Sequence, residues 1–195
     1  MPYKTGLWLL AALVSGMLLT RNWWEAGMAT HMAGQIPLLA VLGGMFAVLQ
    51  RRRYARMEQF SRRYRVSLLL FGLFVLGLWM LPRLLDAALH DAGIALMKWL
   101  TLPMAGAALT LCWSHLPFVL RGVLHLELLA TLLRLGWLYL IAPQRYCVSY
   151  GMDEQQLLGS VLLGYGAIYA VILVWKVMTG RAVPARQDAA GLVTE

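Results

Sequence analysis

Hydrophobic and polar positions fall in long blocks along this chain rather than alternating residue by residue. Six apolar runs stand out, at approximately 6–22, 27–49, 66–82, 93–113, 122–142 and 157–178. Each is near the length needed to cross about 30 Å of hydrocarbon. Backbone amides cannot stay unpaired in lipid, so each run is predicted to be helical. Trp23, Trp24 and Trp79 fall where an aromatic belt meets the headgroups. The pattern predicts an all-α, polytopic membrane helix bundle with six transmembrane helices. A single domain would cover residues 1–180, and residues 181–195 would form a disordered cytoplasmic tail. The first run, GLWLLAALVSGMLL, resembles a signal-peptide core, but no small-x-small cleavage site precedes Arg21. It reads as a retained span.

Composition agrees with that pattern. The chain is 61% hydrophobic and 13% charged, with a mean hydropathy of +0.66, outside the usual range of soluble domains. A net charge of +8 raises the possibility of nucleic-acid binding, but the arginines are in the wrong place for it. Seven lie in RRRYARMEQFSRRYR, between two apolar runs. Placing both termini in the cytoplasm puts twelve of the seventeen basic residues inside. Arg21, Arg83 and Arg145 fall outside, and Lys98 and Arg134 within spans. The excess predicts a bacterial inner-membrane protein with cytoplasmic N and C termini.

The entry to the second run, EAGMATHMAGQIPLL, carries polar groups that lipid disfavours. Helical spacing puts Glu25, Met28, His31, Met32 and Gln35 on one arc of roughly 120°. The outer side would also collect His90, Cys147 and Met152. Thioether, imidazole and thiolate together favour copper in its reduced state, which makes Met28, His31, Met32, His90, Cys147 and Met152 the candidate ligands. The plainer alternative is that these methionines fill packing gaps and the histidine is simply hydrogen-bonded. A haem held by His31 and His90 is a further alternative, which requires two axial histidines at similar depth and so residues 83–92 dipping inward. On the inner side, Cys112, His115 and His125 form a second, less specific set. Cys112 and Cys147 would lie on opposite membrane faces and cannot pair.

Span five places Glu127, Thr131 and Arg134 on one stripe. An arginine near the bilayer centre costs a few kcal/mol even on lenient scales, so Arg134 is expected to point into the bundle and find a partner. Glu127 is seven residues away, about 10.5 Å along the axis; Glu25 or Gln35 is the alternative partner. In span six, Ser160 and Gly164 have helix-contact spacing. No phosphate loop, H-E-x-x-H or G-x-S-x-G pattern occurs, so no enzymatic activity is expected.

Two stretches resemble a known family. HMAGQIPLLAVLG is similar to the His-Met-rich helix of the CtaG family, membrane assembly factors for cytochrome c oxidase of the copper A type. MDEQQLLGSVLL resembles the Asp-Gln-Gln-x-x-Gly stretch opening a late helix there, with Asp153, Gln155, Gln156 and Gly159 as approximate matches. The position of a second family histidine is held here by Gln35 or Met28. The resemblance implies a copper-linked role in assembling a respiratory terminal oxidase, with the lipid bilayer and an oxidase subunit as partners. A small structural subunit of a respiratory complex and a haem-carrying anchor are the alternatives.

Overall fold

The computed structural model describes residues 3–51 and 55–179. The expected tail at 181–195 lies outside the described residues, as do Arg52 and Arg53 of the basic loop. Among those described, every regular element is a helix. Nine α-helices run in order: α1 (Tyr3–Leu19), α2 (Arg21–Glu25), α3 (Ile36–Arg51), α4 (Ala55–Arg63), α5 (Arg65–Trp79), α6 (Pro82–His90), α7 (Ala92–Trp113), α8 (Phe118–Ile141) and α9 (Met152–Met178). A π-helical turn, Thr30–Gln35, leads directly into α3.

Among the described residues, three helical stretches are long and apolar enough to cross a membrane: Thr30–Arg51, Ala92–Trp113 and Met152–Met178. A fourth crossing is available if α5 and α6 count together, but they are bent by 72° at their junction. The expected third span, 66–82, therefore breaks at its end. Leu81 precedes a proline and takes an extended conformation (φ −76°, ψ 120°), as the Pro82 ring demands of its neighbour. Pro82 then opens α6, where its missing N–H costs nothing.

α3 and α7 form the centre of the bundle, and their crossing is a backbone contact. A Cβ at Gly43 would sit 1.9 Å from the Pro103 carbonyl oxygen, and one at Gly106 would sit 1.8 Å from that of Ala40. Only glycine permits this approach. Buried Leu39, Leu42, Leu102 and Ala105 fill the seam around it. α8 and α9 pack on each other in the same manner, with Gly159 facing the Gly136 carbonyl. The predicted pair Ser160 and Gly164 takes no part: Ser160 is exposed, and a Cβ at Gly164 would meet nothing within 4 Å. The packing stripe of α9 is instead Gln155, Leu158, Gly159, Leu162 and Gly166.

At the expected inner end, α4 folds beneath the bundle. Arg51 pairs with Glu58 and donates to Ser114 Oγ at 2.9 Å. His115 Nε2 lies 3.1 Å from Ser61 Oγ and 3.2 Å from Glu58 Oε1.

Candidate functional site

α2 ends at Glu25, and the chain restarts as helix at Met28. Thr30 Oγ1 donates back to the Gly27 carbonyl at 2.9 Å. The first amide of the new helix, Met28 N–H, donates to Glu154 Oε2 at 3.0 Å, so a carboxylate from α9 caps the entry to span two. The π-helical turn follows, a form that recurs at functional sites. Met28, His31, Met32 and Gln35 are all buried, and Glu25 is nearly so, with its side chain 10% exposed. The arc faces the bundle interior.

What it faces is Lys98. This lysine sits on α7 with 0% exposure. Its ammonium donates to Glu25 Oε1 at 2.8 Å and Gln35 Oε1 at 3.0 Å, and lies 2.9 Å from His31 Nε2. An ammonium has three protons and no lone pair, so these three acceptors use all of its capacity. His31 Nε2 must then be the unprotonated nitrogen. The ring is a neutral imidazole carrying its proton on Nδ1, which donates to Tyr150 Oη at 3.1 Å. Tyr150 in turn donates to the Glu25 backbone carbonyl at 2.9 Å. A continuous chain of donors runs from Lys98 through His31 and Tyr150 back to α2.

The remaining charge is handled at the rim. Arg21 Nε donates to Glu25 Oε2 at 2.8 Å, so each carboxylate oxygen has its own cation. Burial pushes the Glu25 pKa up, but hydrogen bonds and charge from Lys98 and Arg21 outweigh it, and the group stays below its ordinary 4.5. The 142–151 loop closes over the site. Asp86 on α6 accepts from the amides of Val148 (2.8 Å) and Ser149 (3.4 Å). Gln155 accepts from Tyr146 N at 3.0 Å and donates to the Gln144 carbonyl. Within this loop Cys147 is buried, and burial with the nearby Asp86 carboxylate pushes its thiol up to about 12. It is a thiol, not a thiolate. Burial raises the Tyr150 phenol as well, which keeps its proton in the chain.

Of the candidate ligands, Met28, Met32 and Cys147 lie in one buried core cluster, while His90 stands apart from it. Met28, His31 and Met32 share the buried face, and Met152 is half-buried at the start of α9. His90 is exposed at the end of α6, its Nδ1 donating to the Asp86 carbonyl at 2.9 Å. Among the described residues, no three His, Cys, Asp or Glu side chains group as a metal site. A copper ion on His31 Nε2 would have to replace or adjoin the Lys98 ammonium, a like charge in a dry environment. With Lys98 in place, His31 Nε2 is not free to ligate a metal. His31 Nδ1 is engaged as well, by Tyr150 Oη. The inner set disperses: Cys112 bonds the Leu109 carbonyl, His115 meets Ser61, and His125 pairs with Tyr169.

Other placements differ from expectation. Arg134 does find a partner in Glu127, one of the options its spacing left open, but the pair faces outward rather than into the bundle, exposed at 65% and 64%. Asp153 and Gln156 are exposed; their neighbours Glu154 and Gln155 make the contacts instead. A helix presents adjacent residues about 100° apart, so a one-residue shift exchanges inside for outside. Lys98 and Tyr150 went unassigned in the sequence. For Lys98 a signal existed: a lone lysine within IALMKWLTLP needs a buried partner as much as Arg134 does. No family model, curated protein or solved structure matches the chain.

Proposed function

We propose that the protein is a six-span, non-enzymatic factor of the bacterial inner membrane, both termini cytoplasmic, that assists assembly of a respiratory terminal oxidase. One observation carries this reading. The two stretches that resemble the CtaG family lie far apart in sequence, yet each touches the lead-in to the other: Glu154 of MDEQQ caps the amide of Met28, three residues ahead of HMAGQ, and Tyr150, two residues ahead of MDEQQ, holds His31. Asp86 and Gln155 hold the loop over this junction, which favours a surface presented to another membrane protein. Copper belongs to the proposal only as the client's metal, because Lys98 occupies the nitrogen a resident ion would use.

Deleting the gene in its host tests the assignment. The expected result is loss of assembled haem–copper oxidase, read from membrane oxidase activity and absorption spectra. The wild-type gene should restore it, and a Tyr150→Phe/His31→Ala copy should not. Unchanged oxidase content in the deletion strain overturns the reading. A second reading, a purely structural subunit of a respiratory complex, draws on the complete internal satisfaction of His31. It requires the protein to co-purify with the mature complex, whereas an assembly factor leaves.

A further inference from the structure

Three acceptors from two neighbouring elements converge on one point in the bundle: a carboxylate oxygen of Glu25, the Nε2 lone pair of His31 and the amide oxygen of Gln35. All lie within 2.8–3.0 Å of that point. The point is occupied by Lys98 Nζ. We propose that Glu25, His31 and Gln35 form a binding site for an ammonium-sized monovalent cation, and that the chain's own Lys98 is its tethered occupant. The proposal is independent of any oxidase client.

The orientation of Gln35 argues that the acceptors are arranged for a cation. With its oxygen turned to Lys98, its Nε2 is left buried without a hydrogen-bond partner. A buried amide donor without an acceptor is costly, and turning the amide over would only bring its N–H₂ against the ammonium. The site places an oxygen on the positive charge at the expense of that amide's own donor. His31 makes the same choice, since its lone pair, rather than its N–H, points at Nζ. Arg21 neutralises the second carboxylate oxygen, leaving Oε1 to the occupant alone.

The tether also explains how the site can be emptied. Lys98 is six residues from the start of α7, about 9 Å along the helix, and its flexible stem can carry the charge toward the near interface. Ammonium and K⁺ are close in size, and methylammonium reproduces the head of the lysine. A vacated triad should therefore take K⁺ or methylammonium in preference to the bulky choline ion.

The test uses the full chain in detergent, with thermal unfolding followed in chloride salts of K⁺, methylammonium, Na⁺ and choline at equal ionic strength. The native protein should show no cation preference. Lys98→Ala should unfold earlier in choline and recover saturably in K⁺ or methylammonium, by about 4 °C or more. Lys98→Ala/Glu25→Gln should lose that recovery. Equal unfolding of Lys98→Ala in K⁺, methylammonium and choline overturns the proposal, as it would if Arg21 swung in to fill the gap. If Lys98→Ala does not accumulate, Lys98→Ser carries the same readout, with methylammonium in the growth medium to supply the cation during folding. Absence of both variants even then also overturns it.

Discussion

A buried lysine survives in an apolar bundle only when its charge is answered, and here the answer fixes the protonation of every neighbour. Lys98 gives its three protons to Glu25, His31 and Gln35, so the Glu25 carboxylate must stay ionised. Its folded pKa lies below the ordinary value of 4.5. A depressed carboxylate contributes stability above its unfolded pKa and loses it as pH falls through the folded one. Unfolding temperature should therefore drop on acidification below about pH 4.5, and Glu25→Gln should flatten that drop. A Glu25→Gln profile as steep as the parent's would place the acid sensitivity elsewhere. Arg134 behaves differently. Its pair with Glu127 stands on the outer surface of α8, so nothing in the packing depends on it. Glu127→Gln/Arg134→Leu should unfold at or above the parent's temperature in detergent, and a marked loss would show that the stripe is covered in solution.

At the scale of the helix, the molecule depends on where side chains are missing. α3 and α7 touch through Gly43 and Gly106. Gly43→Val should force the crossing apart and cost several kcal/mol, of the order seen for overpacking and beyond, with loss of monodisperse protein on size-exclusion chromatography. Gly164→Ala, on a face that meets nothing, should be neutral or slightly stabilising through helix propensity. Equal tolerance of the two would refute the crossing. Helical character was legible from the sequence because apolar runs of this length have few other solutions. The inward arc of span two was legible as well, since Glu25, His31 and Gln35 recur at helical spacing and lipid disfavours all three. What was not legible was pairing. Glu25 and Gln35 needed a cation and Arg134 was the conspicuous one, yet Lys98 was the one whose depth and face matched. Spacing within one helix carries no information about the rotation of another. Glu154 was missed for the same reason, and of its named neighbours Gln155 alone turned inward.

At the scale of the whole molecule, the distribution of basic residues gives the orientation its test. A reporter active only outside the cytoplasm should work when fused near Arg145 and fail after residue 53 or 186. Activity after residue 53 would put the Lys98 site on the opposite side of the membrane. The α8–α9 hairpin adds a consequence of its own. Its two helices pack mainly on each other, and its polar ties to the bundle, at Glu154, Tyr150 and the loop on Asp86, are gathered at one end. α9 has 27 residues, a rod of about 40 Å pivoted beside Met28. Such a rod is a lever with its fulcrum at the site. A tilt that moves its far end by several ångströms shifts the pivot by only a fraction of one, yet a fraction is enough to lengthen the His31–Tyr150 bond. A displacement of the far end of α9 would then arrive, geared down, at the buried charge of Lys98.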